Sequence, residues 1–168
     1  MILSKSNILR LIEQNPPLIS SWINLDFQLQ PAGFDLTLRE VREFKTPGQI
    51  DFGNVRRKVS ETEPLPFDEN GLLLLPQGAY LVIFNEELCL PPNIAAIARP
   101  RSSLLRSGAT VETAVWDPGY RGRSRALLIV YNRAGITLEK NARIVQLVFM
   151  EVDSSLKEGY RGIYQGEL

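Results

Sequence analysis

Apolar residues recur at three- and four-residue spacing only near the start of this chain; further on they alternate or run in short blocks. In "LSKSNILRLIEQNPP", Ile8, Leu9 and Ile12 share a face with Leu11 beside it, which predicts one amphipathic helix within residues 1–17. Ser4 is placed to cap it. Asn15-Pro16-Pro17 stops it, because proline lacks an amide and disfavours helix in the residue before it. One such helix cannot form a core alone, so it must pack on the rest of the chain. "GFDLTL" alternates, with Phe34, Leu36 and Leu38 on one face and Asp35 and Thr37 on the other. Residues 45–70 are polar and punctuated by Pro and Gly, which predicts a long loop or hairpin. Then come "GLLLLPQG", "AYLVIFNEEL", "NIAAIARP", "GATVETAVW", "RALLIVYN" and "ARIVQLVFMEV". Many short strands between turn residues predict an antiparallel sandwich, jelly roll or barrel. The glycine-rich tail "KEGYRGIYQGEL" reads either as a frayed end or as an arm that orders on something else.

Composition narrows the chemistry more than the fold. The 168 residues suit a single domain, 1–168, and 44% apolar with 23% charged residues is ordinary for a soluble globular protein. Lys plus Arg equals Asp plus Glu at 19 each, so no net field draws the chain to nucleic acid or membrane; attraction for anions must come from local clusters. No stretch approaches the roughly 20 apolar residues of a membrane span. The N-terminus lacks a continuous apolar core of signal-peptide length. Cys89 stands alone, which fits a reducing compartment, and the expected location is cytoplasmic. Histidine is absent. The common zinc sites, the Ser-His and Cys-His nucleophile systems and the zinc-dependent nucleobase deaminases therefore cannot be assembled within one chain. Carboxylates, hydroxyls, Arg, Lys and a hard metal ion remain.

Three places carry candidate chemistry. "ARPRSSLLRSG" follows an apolar strand and offers Arg99, Arg101 and Arg106 with hydroxyls at Ser102, Ser103 and Ser107. With Ser102 capping a short helix, amides, hydroxyls and guanidinium forks would converge as a phosphate needs; a solvated surface helix is the plainer reading. "WDPGYRGRSR" sets Asp117 at a Pro-Gly turn beside Tyr120 and three arginines. That aspartate is either a turn residue or a base held in fixed geometry. Gln146 projects an amide from the row Ala142, Ile144, Val148, Met150, as a satisfied core or interface glutamine or as a ligand contact. Asp35, among the apolar residues of its strand, poses the same alternatives.

In order, "QPAGFDLTL", "RPRSSLLRSG", "VETAVWDPGYRG" and "ITLEKNARIVQLVF" resemble the four successive motifs of the dUTPase and dCTP deaminase superfamily. The tail "YRGIYQGEL" resembles a shortened form of its C-terminal motif, in the deaminase style, and the N-terminal helix is deaminase-like too. The resemblance is closest to the archaeal, deaminase-like dUTPases and covers nearly the whole chain. It implies a distorted jelly-roll or β-clip barrel with a short N-terminal helix, a homotrimer with active sites between subunits, and a C-terminal arm over residues 158–168. It also implies dUTP as substrate with Mg2+ held mainly by the triphosphate and water. Asp117 then orients the water that attacks the α-phosphorus, giving dUMP and pyrophosphate. Tyr120 packs under the deoxyribose and excludes a 2′-hydroxyl. Arg101, Ser102 and Ser103 hold phosphates, Arg106 matches a functional arginine of the deaminases, and Gln146 reaches the phosphate end. Tyr164 and Gln165 bring the arm to the substrate. Uracil is read by backbone groups near residues 108–116.

One residue separates hydrolysis from deamination in that resemblance. The deaminases, and the bifunctional deaminase-diphosphatases, carry a strand glutamate three positions before the asparagine that Asn132 matches. Counting back from Asn132 gives Ile129; counting forward from Asp117 gives Leu127, because the segment is two residues longer than the usual pattern. No Asp or Glu lies between Asp117 and Asn132. The expected activity is dUTP diphosphatase. The alternatives are a dCTP deaminase, with Glu112 of the preceding strand turning inward, and a nucleotide-binding trimer without turnover.

Overall fold

The computed structural model describes residues 1–153, 160 and 162–167; of the expected arm, residues 158, 159, 161 and 168 lie outside the described residues. The chain order is α1 (Lys5–Ile12), β1 (Ile19–Ser20), α2 (Leu25–Gln28), β2 (Leu29–Gln30), β3 (Gly33–Phe44), β4 (Thr62–Leu65) and β5 (Leu72–Leu75). There follow β6 (Gly78–Cys89), β7 (Ile94–Pro100), α3 (Ser102–Arg106), β8 (Ala109–Glu112), β9 (Arg121–Val130), β10 (Ile136–Glu139) and β11 (Arg143–Glu151). No helix among these residues is long and apolar enough to cross a membrane.

The main sheet runs β7-β11-β3-β6-β9-β8, with β1 on β6 and β2 and β4 on β3; β10 and β5 form a separate ribbon. Trp116, beyond β8, exchanges both backbone hydrogen bonds with Ala96 of β7 at 2.9 Å. That bridge joins the two ends of the sheet order and nearly closes a barrel, the mainly β architecture expected. Phe34, Leu36, Leu38, Phe84, Leu128, Leu147 and Phe149 fill its interior at 0% exposure; each such side chain stabilises by roughly 1.5–3 kcal/mol relative to exposure. Ile8 and Ile12 of α1 are buried as well, and Leu3 N donates to Phe149 O, so the helix is anchored on the barrel.

Several boundaries differ from expectation. The Ser4 hydroxyl does cap α1 by accepting from Asn7 N, but the helix ends at Ile12, before the Asn-Pro-Pro stop. Residues 45–70 form a hairpin: Gln49 bridges Lys58, and β4 pairs with β3 from Val41↔Leu65 to Phe44↔Thr62. β8 ends at Glu112, because the chain then leaves β9 to reach Ala96. β9 begins at Arg121, four residues before the expected strand. Its inward set there is Gly122 and Ser124, too small and polar to register as an apolar alternation. Both faces of residues 33–38 are buried, so Asp35 and Thr37 are 2% exposed and need polar partners.

Thr37 finds one in Glu86, a carboxylate only 1% exposed. Glu86 accepts from Thr37 N (2.9 Å), Thr37 Oγ1 (2.5 Å) and Gln28 Nε2 (2.7 Å). The Gln28 amide also donates to Asp35 O and accepts from Ile23 N and Asn24 N. Burial pushes the Glu86 carboxyl above its ordinary range, against the pull of those donors. One acid thereby fixes the segment of β3 that carries Asp35.

Candidate functional site

The chain 116–120 is built as a clamp around one carboxylate. Tyr120 N donates to Asp117 O at 3.1 Å and Gly119 has φ 83°; with Pro118 before it, this is the pattern of a type II turn. Trp116 and Tyr120 are buried at 6% and 8% exposure, while Asp117 between them is exposed. Trp116 Nε1 donates to Ser124 Oγ at 2.6 Å. The Tyr120 ring meets Tyr160 edge-on at 5.6 Å, and burial raises the Tyr120 pKa above its ordinary value of 10.0. Beside this clamp lies a cavity of about 450 Å³ whose lining includes Leu81, Trp116, Tyr120, Ser124, Arg125 and Tyr164.

The described part of the tail folds onto the same turn. Tyr160 N donates to Pro118 O at 2.7 Å. Gln165 Nε2 donates to Gly119 O at 3.0 Å, and its Oε1 accepts from Arg121 N at 3.1 Å. Gln165 therefore has both ends of its amide on the turn, a placement that sequence reasoning did not anticipate. Tyr164, by contrast, lines the cavity.

The arginines following Asp117 do not surround it. Arg121 Nε donates to Cys89 Sγ at 2.9 Å. Arg123 donates to the Phe84 and Asn85 carbonyls and pairs with Glu87 at 2.6 Å. Arg125 pairs with Glu167 at 2.5 Å. All three guanidiniums are engaged by the chain itself.

A second cluster sits on β3, β11 and β7. Cross-strand register pairs Gln146 with Asp35 on one side and with Arg99 on the other, which sets the three side chains on one face. The buried Asp35 carboxylate holds Arg101 Nε at 3.2 Å and Arg143 Nη1 at 3.3 Å. Burial raises the Asp35 pKa and outweighs the two arginines, which pull it down. Asp35 is thus an orienting group for cations within its own chain. Gly33 allows β11 to pass this close: a Cβ there would lie 2.2 Å from Leu147 O. α3 starts after Arg101, whose backbone occupies the cap position without a side-chain cap bond; Ser102 is the first helical residue and not the expected cap. Gly108, at φ 76°, ends the turn. Ser102, Ser103 and Arg106 are exposed and Gln146 is half-buried. Among the described residues the side chains of these four make no hydrogen bond or ion pair, so all are available to an anion. Arg143 was missed by sequence reasoning, because only the β3–β11 register brings it to Asp35.

The two clusters do not meet within one chain. Asp117 follows Trp116, which is fixed to Ala96, and Arg101 lies five residues beyond Ala96, just past the end of β7; at about 3.3 Å per residue that is roughly 16 Å. The bridge is antiparallel, so the chain at Asp117 heads away from Arg101. Among the described residues no three acidic, histidine or cysteine side chains are grouped to hold a metal ion. At the positions matching the deaminase glutamate, Leu127 and Ile129 stand opposite Glu112 and Thr110 of β8. Glu112 is exposed and accepts from Thr110 Oγ1 at 3.2 Å. The two-residue excess leaves the β8–β9 register regular; the irregularity lies on β6, where Ile83 to Glu87 spans what Arg125 to Arg123 spans on β9.

The profile of a family described as dCTP deaminase-like matches residues 2–152. Over 99% of its length the chain is 51% identical to a Methanosarcina mazei protein named probable deoxyuridine 5′-triphosphate nucleotidohydrolase, of which it covers 97%. Among solved structures, the 2′-deoxycytidine 5′-triphosphate deaminase of Agrobacterium tumefaciens superposes on 88% of the chain with a TM-score of 0.66 at 24% identity. The chain spans 47% of that longer protein. The EIAV dUTPase superposes on 86% of the chain and 96% of its own length with a TM-score of 0.53 at 15% identity. Both structures speak for the fold alone.

Proposed function

This chain belongs to the dCTP deaminase-like family, and within it we propose the hydrolytic branch: the protein is a dUTP diphosphatase, converting dUTP and water to dUMP and pyrophosphate. The full-length similarity to a probable deoxyuridine 5′-triphosphate nucleotidohydrolase supports this reading. The observation that carries it is the contrast between one exposed carboxylate on a rigid turn, Asp117, and hydrocarbon at Leu127 and Ile129. Without an acid there, attack on the pyrimidine ring has no proton carrier.

Asp117 accepts a proton from the water that attacks the α-phosphorus. The new bond joins water oxygen to phosphorus, the bond to the β-phosphate oxygen breaks, and pyrophosphate leaves. Arg101, Ser102, Ser103, Arg106 and Gln146 hold the phosphates, with Arg101 aimed by Asp35. Tyr120 supports the deoxyribose, and Tyr164 and Gln165 bring the arm to the cavity. Magnesium would take its hard oxygen ligands from the phosphates and water, and when bound it offsets the triphosphate charge. Because Arg101 lies roughly 16 Å along the chain from the Ala96 bridge that fixes Trp116, Asp117 of one subunit serves the phosphate cluster of another in a homotrimer. The trimer works in the cytoplasm.

The test is a substrate panel with Mg2+, scored separately for pyrophosphate and ammonia. Pyrophosphate from dUTP is expected. Ammonia from dCTP would overturn the reading in favour of a deaminase using Glu112, and dUTP binding without pyrophosphate would leave only a nucleotide-binding trimer.

A further inference from the structure

The stretch from Ile97 to Gly108 holds three arginines. The hydrolytic reading uses Arg101 and Arg106 and leaves Arg99 without a part. Arg99 is exposed on β7, and among the described residues its side chain has no hydrogen bond or ion pair. In the antiparallel register it stands directly opposite Gln146, which in turn stands opposite Asp35. Residues so paired share a face, with Cβ atoms about 4.5–5.5 Å apart. Arg101 follows two residues on, at roughly 6.6 Å. Its backbone N–H still donates to Ile144 O at 3.0 Å, so it stays alongside β11.

This row is cationic and its polar groups are unfilled. Asp35 is a single acid shared by Arg101 and Arg143, at 3.2 and 3.3 Å, so a positive charge is left over before Arg99 is counted. β7 contains no acid, and β11 only Glu151 at its far end. Between the arginines, the half-buried Gln146 amide leans over Gly33, where a Cβ would lie 3.1 Å from Nε2. Among the described residues that amide makes no hydrogen bond, which is unfavourable for a polar group drawn partly out of water. An anion held in common would satisfy the amide and both guanidinium forks.

We propose that Arg99 is a further substrate-binding residue, a guanidinium that holds the phosphate chain of dUTP together with Gln146 and Arg101. This deepens the dUTP reading of the site and rests on it. A planar fork suits phosphate oxygens, which it can meet two at a time. The contact is with phosphate alone, so it should strengthen binding of the triphosphate and leave binding of the nucleoside part unchanged.

The experiment measures Kd by calorimetry with Mg2+ for two ligands, the non-hydrolysable α,β-imido analogue of dUTP and deoxyuridine, which lacks phosphate. It compares wild type, Arg99→Gln, Arg99→Lys and Arg10→Gln. Arg10 is an exposed arginine of α1 and controls for net charge. Arg99→Gln is expected to weaken the analogue about tenfold and to leave deoxyuridine unchanged. Arg99→Lys should fall between, since it keeps the charge and loses the fork, and Arg10→Gln should match the wild type. An unchanged analogue Kd in Arg99→Gln overturns the proposal. So does an equal loss in Arg10→Gln, which would mean a distant field and not a contact. A merely structural or subunit-contacting arginine would weaken both ligands together or lower the mass of the assembly, and either result overturns it too. A wild type that binds the analogue but releases no pyrophosphate from dUTP defeats the hydrolytic reading alone, because the analogue Kd still judges Arg99.

Discussion

Asp117 is exposed but not free, since Pro118 and Gly119 fix the turn and buried Trp116 and Tyr120 anchor its ends. Asp117→Asn keeps the turn and the shape of the side chain while removing the proposed base. Nucleotide binding should stay near wild type and kcat should fall about 10²- to 10⁴-fold; wild-type turnover in that variant would remove the assignment. Tyr120 gives a stability test. Its pKa is raised above 10.0 by burial, so the folded state retains the phenol proton longer than the unfolded state. That contribution is complete below pH 10 and is lost as pH rises through the folded value. The fall in Tm of the wild type above about pH 10 should accordingly be steeper than that of Tyr120→Phe, and parallel curves would contradict a buried phenol. The turn itself was legible in the sequence, because Pro-Gly chemistry is local. The fate of Arg121, Arg123 and Arg125 was not: their partners Cys89, Glu87 and Glu167 lie more than thirty positions away.

Among the elements, β3 carries the most. It lies between β11 and β6, is buried on both faces over residues 33–38, and presents Asp35 toward the arginines. Its register depends on Glu86, which satisfies Thr37 and, through Gln28, the Asp35 carbonyl. Glu86→Ala would orphan several buried donors at about 1–3 kcal/mol each. Urea denaturation should show a loss of roughly 2–4 kcal/mol in unfolding free energy, and a loss under about 1 kcal/mol would mean that the network is dispensable. Strand positions were legible where alternation was apolar, as in β6 and β11. The start of β9 and the true cap of α3 were not, because Gly122 and Ser124 face inward without being apolar and Arg101 caps with its backbone alone.

Across the whole molecule, the separation of Asp117 from the Arg101 cluster turns a question of catalysis into one of assembly. Asp117→Asn and Arg101→Ala should each be nearly inactive as pure preparations. Refolded together at equal ratio, they should recover about a quarter of wild-type activity, because the proposed symmetric trimer would pair intact halves from different subunits at random. No recovery would place the whole site in one chain. Residue types and their local spacing already determined the Asp117 turn, the absence of histidine, the mainly β fold and the missing acid at Leu127 and Ile129, since each depends on short-range geometry or on simple presence. Only the folded chain decided which cation meets which carboxylate, where the described part of the tail docks, and that the Asp117 turn stands apart from the Arg101 cluster. Those outcomes depend on strand register and barrel closure, which bring together residues that no local pattern connects.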